Sequence, residues 1–268
     1  MLTKRKLSPS AIDTFLESPR AYYYRYLHPN TDGTFGLESL QKSTSNYDHD
    51  LLAGKLWAAF VDRFYRRVEM TPNSDQMLAE WMQESEGWVA PKLRGSYTDA
   101  LHTLALHYYS TYNLDDNARL FSEMTVEDEH FTGRLDGLSS ERVIHEVKLT
   151  RHTSYTSEKV WLVQNSTQIK MYAFLTDATG VLVELGYKDS PYETYRAPVK
   201  YFTDEQKSQW RKEYLALAKL IWDTQEFPCT AERCSMVTKA GARMCQWREL
   251  CQGNQECMVF FQPRGEHR

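Results

Sequence analysis

The chain has 268 residues, of which 41% are hydrophobic and 13% aromatic, and its formal net charge is −4. This length fits one large domain with a sizeable core, and the negative balance excludes nucleic-acid binding through bulk positive charge while leaving room for a local basic groove. The basic N-terminus has no apolar stretch after it, and no apolar run reaches the ~20 residues that a membrane span needs. We therefore expect a cytoplasmic, soluble protein that does not enter membranes.

All five cysteines lie in the last 40 residues of the chain. In a cytosolic protein, such clustering indicates metal or redox chemistry rather than a disulfide framework, and the odd number leaves at least one cysteine spare. The positions are Cys229, Cys234, Cys245, Cys251 and Cys257.

The first quarter of the chain predicts helices. Ser8-Pro9 is typical of a helix start, because serine caps the first turn and proline suits the first helical position, and the segment can restart at Pro19. Residues 28–50 are rich in turn formers and predict a long loop. Apolar residues then recur at every fourth position, which predicts an amphipathic helix. These residues are Leu52, Leu56, Phe60, Phe64 and Val68.

Beyond this helix, the pattern continues with helices and then alternates as strands do. The expected elements are helices at 75–86 and 98–112, strands at 123–131, 133–138 and 142–149 with a turn at 139–141, a helix at 158–176, a strand at 181–188 and a helix at 204–223. No internal repeat and no Pro/Gly linker divides this order. We expect a single domain over residues 1–268, in which a helical part (8–120) precedes an α/β core (121–223) and a cysteine-rich tail (224–268).

The expected hairpin at 133–150, GRLDGLSSERVIHEVKLT, carries an aspartate in its first arm and a glutamate and a lysine in its second. Side chains two apart in a strand share a face, so Glu146 and Lys148 point the same way, and Asp136 can join them if the arms pair antiparallel. Two converging carboxylates are acceptors for a hard divalent cation such as Mg²⁺, and a lysine beside them can position a water and stabilise a phosphoryl oxygen. The pattern favours metal-assisted phosphodiester hydrolysis, although a solvated hairpin with a salt bridge has the same spacing.

Five short motifs stand in a fixed order along the chain. They are SPSAIDTFLESPRAYYYRYL near the N-terminus, GRLDG at 133–137, EVK at 146–148, Gln168-Ile-Lys-Met-Tyr172 on the next helix, and Phe227-Pro228 followed by Cys234-x10-Cys245-x5-Cys251. This series resembles the RecB-like branch of the PD-(D/E)XK nuclease superfamily, which includes AddB, CRISPR-associated RecB-like exonucleases and many phage exonucleases. The matches run from residue 8 to residue 251.

The resemblance implies a restriction-endonuclease-like α/β fold, with N-terminal helices on one side of a mixed sheet. It also implies a DNA exonuclease that uses Mg²⁺ or Mn²⁺ and acts on ends or single strands. The implied metal ligands are Asp136, Glu146, the Val147 carbonyl and, as a further candidate, Glu127, for which a plain surface residue is the alternative. Lys148 would orient the attacking water. Gln168 and Tyr172 would reach the scissile phosphate or a flanking base, although core packing also explains Tyr172.

Two positions depart from the pattern of this branch. Relatives often have Gly-x3-His in the first core helix, with the histidine holding the metal, whereas Gly54 is followed at that spacing by Ala58. Many relatives also hold an iron-sulfur cluster through one N-terminal and three C-terminal cysteines, whereas the N-terminal position here is Ser18. Four of the five C-terminal cysteines could bind a 4Fe-4S cluster or tetrahedral Zn²⁺, and the alternative is packed thiols without metal.

Residues beside the motifs are candidates for contacts with DNA. They are Arg20, Tyr24, Arg25 and Arg151, of which the arginines can track phosphates and the tyrosine can stack on unpaired bases or pack in the core. The chain has no Walker A sequence, so unwinding would come from a partner. The missing histidine leaves two alternatives to an active enzyme: a non-catalytic nucleic-acid-binding relative, and an accessory subunit that docks a helicase, recombinase or replication protein.

Overall fold

The structure is a computed structural model, and the residues it describes are 5–27, 46–66, 96–112, 120–151, 156–189, 191–224, 237–238 and 241–242. The expected helix at 75–86, all five cysteines and the side chain of Tyr24 lie outside them. The chain divides into two compact units, Met1–Ser43 with Ala216–Arg268, and Thr44–Leu215. The single domain expected over the whole chain stays a prediction. Within the described part, no helix has both the length and the apolar character to cross a bilayer.

The first unit begins with two short helices capped by serines. They are α1 (Pro9–Glu17) and α2 (Pro19–Tyr22), followed by a π-helical turn at Tyr23–Leu27. The Ser8 hydroxyl accepts the N–H of Ala11 at 3.2 Å, and the Ser18 hydroxyl accepts the N–H of Ala21 at 3.2 Å. The predicted start and restart of the helix are therefore confirmed. Ser18, at the position of the relatives' cysteine, terminates one helix and caps the next.

Two long helices open the second unit, α3 (Asn46–Arg66) and α4 (Ser96–Thr111). The loop prediction is wrong for residues 46–50, which form the start of α3, because polar and acidic residues are well tolerated in a first helical turn. The predicted apolar repeat is confirmed where it is described, since Leu56, Phe60 and Phe64 are buried. The ring of Tyr108 on α4 packs edge to face against Phe60 and Phe64.

A mixed six-stranded sheet forms the middle of this unit. Its strands are β1 (Leu120–Glu127), β2 (Thr132–Ser139), β3 (Val143–Thr150), β4 (Gly180–Tyr187), β5 (Thr194–Arg196) and β6 (Lys200–Tyr201). They lie in the order β1-β2-β3-β4-β5, and β6 also pairs with β4. The β3–β4 pair is parallel and the other pairs are antiparallel. This sheet, flanked by helices, is the fold that was expected.

The connection between the parallel strands consists of two helices, α5 (Thr156–Gln164) and α6 (Thr167–Thr176). The prediction of one continuous helix at 158–176 is wrong, because the chain breaks at Asn165 and Ser166. The Asn165 side chain donates to the carbonyl of Trp161 at 2.6 Å, and the Ser166 hydroxyl accepts the N–H of Ile169 at 3.3 Å. These local hydrogen bonds compete with continued helix and start a new one.

The chain continues into α7 (Asp204–Asp223), as predicted, and into a two-residue pair of strands, β7 (Val237–Thr238) and β8 (Gly241–Ala242). In the second unit, the β3–β4 pair separates two apolar clusters. Val147 packs in the cluster that holds residues of α3 and α4. Ile144 packs in the other cluster, with Ile169 of α6. Because side chains alternate along a strand, Glu146 is directed towards α6.

Candidate active site

The site is built where β2 and β3 part from each other. The two strands pair at Gly137 with His145 and at Leu138 with Ile144. Next to these pairs, the backbone N–H of Val147 donates to Asp136 Oδ2 at 3.0 Å. A side chain of β2 thus takes the place of a backbone carbonyl, and this contact holds the Asp136 carboxylate against the strand that carries Glu146 and Lys148.

Glu146 is the buried acid of the site. Its Oε1 forms an ion pair with Lys148 Nζ, and its Oε2 accepts a hydrogen bond from Gln168 Nε2 at 3.2 Å. Burial raises the pKa of Glu146 to about 7; the ammonium of Lys148 opposes this rise, and the neighbouring carboxylate of Asp136 adds to it. The two acids therefore lie close enough to repel each other, as the hairpin pattern predicted, and a cation between them would relieve this repulsion.

Lys148 connects the buried acid with the surface. Its side chain is 41% exposed, whereas that of Glu146 is 1% exposed. Burial lowers the pKa of Lys148, but the carboxylates of Glu146 and Asp136 outweigh this effect, and the net shift is upward. The lysine is therefore a cation in the site, at a position from which its ammonium can contact a phosphate or a water that arrives from solvent.

Helix α6 fixes the hairpin through Tyr172, one turn after Gln168. The Tyr172 hydroxyl donates to the carbonyl of Arg134 at 2.6 Å and accepts the N–H of the same residue at 3.2 Å. Burial, followed by the charge of Glu146, raises the pKa of Tyr172 to about 12, so the phenol stays neutral. A Cβ at Gly133 would lie 2.2 Å from Tyr172 Cε1. The glycine of GRLDG thus makes room for the tyrosine ring, which braces β2.

The donor set fits a hard divalent cation. Asp136 and Glu146 supply carboxylate oxygens, and the carbonyl of Val147 is the backbone oxygen between Glu146 and Lys148; oxygen ligands of this kind suit Mg²⁺ and Mn²⁺. Among the residues that the structure describes, no group of three or more His, Cys, Asp or Glu side chains forms a metal site. Ala58, at the position of the relatives' histidine, carries no ligand atom. Among the side chains that the structure describes, Asp136 and Glu146 are therefore the carboxylates of this site.

The structure does not bring the further candidate, Glu127, to the site. Glu127 pairs with Thr132 in the β1–β2 ladder. Thr132 precedes Asp136 by four residues, which corresponds to about 13 Å along the strand. The Glu127 side chain is exposed, so its position agrees with the alternative of a plain surface residue.

A second buried acid, which the sequence interpretation missed, lies on the other face of the sheet. Glu184 on β4 accepts hydrogen bonds from Tyr65 at 2.9 Å, Tyr108 at 3.1 Å and Arg196 Nε at 2.6 Å. Its Oε2 lies 4.0 Å from Nδ1 of His145. Burial raises the pKa of Glu184, but the neighbouring His145 imidazole and the charge of Arg196 lower it by a larger amount, and the net shift is downward. The sequence signal that could have revealed this buried acid is the glutamate inside the apolar run VLVELGY.

The candidate DNA-binding residues fall in different parts of the chain. Arg20 and Arg25 belong to the first unit, where the Arg25 guanidinium lies 5.6 Å from the centre of the Tyr26 ring. Arg151 belongs to the second unit and is exposed directly after β3. It lies three residues after Lys148, on the strand that carries the buried acid. Of these three arginines, Arg151 is thus the one that the described second unit places near the site.

Solved structures of three other proteins are similar to this chain. A proposed exonuclease from Eubacterium rectale is 11% identical, with 93% of this chain and 94% of that chain covered and a TM-score of 0.52. A phage-related exonuclease from Haemophilus somnus 129PT is 13% identical, with 83% and 95% covered and a TM-score of 0.38. LHK-Exo, in complex with dAMP, is 14% identical, with 63% and 92% covered and a TM-score of 0.32. The first likeness shows the fold.

No match to a curated protein was found. The family model of the PD-(D/E)XK nuclease superfamily matches residues 6–252, a span that includes both arms of the hairpin and α6. The chain therefore belongs to the PD-(D/E)XK nuclease superfamily.

Proposed function

We propose that this protein is a metal-dependent deoxyribonuclease that hydrolyses phosphodiester bonds from the ends of DNA or along single strands. One observation carries the proposal: a fully buried glutamate, Glu146, lies beside Asp136 and forms an ion pair with Lys148, which is partly exposed. Glu146 is buried and Asp136 is half-buried, and holding two acids together at such a point costs free energy that a bound cation would offset.

The residues of the site have separate roles in the proposed hydrolysis. Asp136, Glu146 and the Val147 carbonyl would hold Mg²⁺ or Mn²⁺, which when bound supplies positive charge next to the phosphate and lowers the pKa of a water. The Lys148 ammonium orients the attacking water and stabilises a phosphoryl oxygen. Gln168 fixes the Glu146 carboxylate through its hydrogen bond. The water oxygen bonds to phosphorus as the bond from phosphorus to the 3′ oxygen breaks, and a proton passes to the departing oxygen.

The assignment as an exonuclease rests on analogy. The structure from Eubacterium rectale with the same fold is described as a proposed exonuclease, and the motif order resembles exonucleases of the RecB-like branch. The protein would then act in DNA recombination, repair or phage DNA metabolism, with a helicase, recombinase or replication protein as partner. The five cysteines of the tail, which would hold a cluster or zinc or remain thiols alone, lie outside the residues described.

The test uses end-labelled linear single- and double-stranded DNA and circular DNA of the same sequence. We expect cleavage of linear substrates with Mn²⁺ or Mg²⁺ and no cleavage in excess EDTA after metal stripping. Circular DNA that stays intact supports the exonuclease, whereas nicked circles indicate an endonuclease. Cleavage that persists in the Glu146→Gln variant would overturn the proposed site, and binding without cleavage by the native protein would favour the non-catalytic alternative.

A further inference from the structure

The segment of β3 that carries the proposed metal ligands is held differently on its two sides. Towards β2, the ladder consists of two pairs that end at His145, and the N–H of Val147 then donates to the Asp136 carboxylate instead. Towards β4, by contrast, the pairing runs along the whole strand, residues 143–150 with residues 180–187. The position of Glu146 therefore depends mainly on how β4 is fixed.

Glu184 fixes β4 beside this segment, because it is the residue that pairs with Val147. Its Oε1 accepts hydrogen bonds from Tyr65 of α3, Tyr108 of α4 and Arg196 of β5. The donors also bind one another, since Arg196 Nη2 donates to the Tyr65 hydroxyl at 2.6 Å and the Tyr108 hydroxyl donates to the same oxygen at 3.1 Å. Two helices and a neighbouring strand thus hold one buried carboxylate in place.

The second oxygen of Glu184 faces β3. Oε2 lies 4.0 Å from Nδ1 of His145, and both side chains are buried. Neither atom has a hydrogen-bond partner in the described part of the chain. A separation of 4.0 Å is too long for a hydrogen bond, so the two groups form an electrostatic contact. Because both groups are buried, solvent ions screen this contact little.

His145 directly precedes Glu146, and successive side chains of a strand lie on opposite faces of the sheet. A contact that fixes the imidazole on one face therefore also fixes where the next side chain leaves the strand on the other face. We infer that Glu184 is a positioning residue of the proposed nuclease: acting through His145, it keeps the Glu146 carboxylate beside Asp136. Glu184 itself touches no reacting group, because it lies on the face opposite the site. The inference rests on the proposed function, since it concerns how a proposed metal ligand is held.

The experiment measures Mn²⁺ binding to the full chain without DNA, from the signal of free Mn²⁺ in electron paramagnetic resonance, together with thermal unfolding. Glu184→Gln and His145→Gln are each expected to weaken the Kd for Mn²⁺ about tenfold, as the loss of a residue that supports a metal ligand does. The double variant should bind no more weakly than either single variant, because both substitutions interrupt the same contact. His145→Gln leaves the three donors of Glu184 in place, so it tests the contact even if Glu184→Gln folds poorly.

Lys207→Met is the matched control for a merely structural role. Lys207 is a buried lysine of α7, and its ammonium pairs with Asp177 and Asp204, which lie outside β3 and β4. Like Glu184→Gln, this substitution removes a buried charge from an ion pair. It should lower the melting temperature and leave the Kd for Mn²⁺ unchanged.

Three results would overturn the positioning role. They are an unchanged Kd in His145→Gln, a loss of Mn²⁺ affinity in Lys207→Met as large as that in Glu184→Gln, and losses that add in the double variant. DNA cleavage by the native protein is assayed separately. If the native protein binds Mn²⁺ without cleaving DNA, the proposed nuclease fails and the Kd values still decide the role of Glu184. A native protein that binds no Mn²⁺ would overturn both proposals.

Discussion

Glu146 and Glu184 lie on opposite faces of the parallel β3–β4 pair, and their surroundings shift their acidities in opposite directions. Glu146 pairs with Val183 in the ladder and Val147 pairs with Glu184, so the two side chains alternate across the sheet. Glu184 receives three hydrogen-bond donors at one oxygen and its pKa falls. Glu146 shares one lysine with a second acid, and its pKa rises. The fold supplies Glu184 with an arginine and two tyrosine hydroxyls of its own, whereas Glu146 lies beside a second acid, an arrangement that a cation would stabilise.

The first prediction concerns the proposed catalytic residues. Asp136→Asn, Glu146→Gln and Lys148→Met should each reduce cleavage of linear DNA by on the order of 10²-fold or more, as losses of charge stabilisation at reacting phosphates do. The substituted side chains have similar size, so the melting temperature should stay near that of the native protein. Single-turnover cleavage and thermal unfolding measure both effects. Native-like cleavage by any one of the three would remove that residue from the site.

The second prediction concerns the support of Glu146 by Gln168. Gln168→Ala should raise the Mn²⁺ concentration for half-maximal cleavage by about 10- to 100-fold, the usual cost of losing a residue that orients a metal ligand. Gln164→Ala is the matched control, because Gln164 donates to the carbonyl of Pro198 on the surface. A Mn²⁺ titration of both variants is the measurement. Equal Mn²⁺ requirements in the two variants would contradict the role.

The third prediction concerns the brace between Gly133 and Tyr172. Gly133→Ala should lower the free energy of unfolding by about 1–3 kcal/mol, because the added methyl meets the tyrosine ring and overpacks the core. The same substitution in a Tyr172→Ala background should cost less than half as much, because the ring has been removed. Gly54→Ala is the control, since a Cβ there has no neighbour within 4 Å. Free energies of unfolding are measured with denaturant. If Gly133→Ala costs the same with and without the Tyr172 ring, residue 133 does not contact that ring.

The fourth prediction is a pH dependence of stability at Glu184. The folded-state pKa lies below the ordinary value of 4.5, so ionised Glu184 stabilises the fold above that pH, and this contribution is lost as the pH falls through the folded-state pKa. The difference in free energy of unfolding between the native protein and Glu184→Gln should shrink between about pH 6 and pH 3. His145→Asn, measured in parallel, separates the imidazole's contribution. A difference that stays constant over this range would contradict the prediction.

The hairpin could be predicted from the sequence, because alternation fixes which side chains share a face. That logic placed Glu146 with Lys148 and brought Asp136 to them. The divergence of β2 from β3 was not predictable, since it depends on the Val147 N–H bonding to the Asp136 carboxylate. The network around Glu184 was missed for a similar reason. Its partners lie up to 119 positions away in the chain, and patterns of neighbouring residues do not show which distant residues come into contact.

Helix boundaries show the same limit. The apolar repeat of α3 was predictable because it depends on residues one turn apart, but its first turn is polar and gave no such signal. The break between α5 and α6 depends on the competition of Asn165 and Ser166 side chains with the backbone. The cysteine-rich tail, the metal alternatives for it and the ligand roles of the hairpin stay predictions.

Because of the break at Asn165 and Ser166, the direction of side chains on α6 does not depend on the length of α5. Gln168 is the second residue of α6, so its direction is set by the cap at Ser166 and not by the number of residues in α5. Each residue advances a helix by about 100°. An insertion or deletion in α5 would therefore leave Gln168 directed at Glu146, whereas one residue added between Ser166 and Gln168 would turn it away. Length variation in this superfamily member should be tolerated before the break and selected against immediately after it.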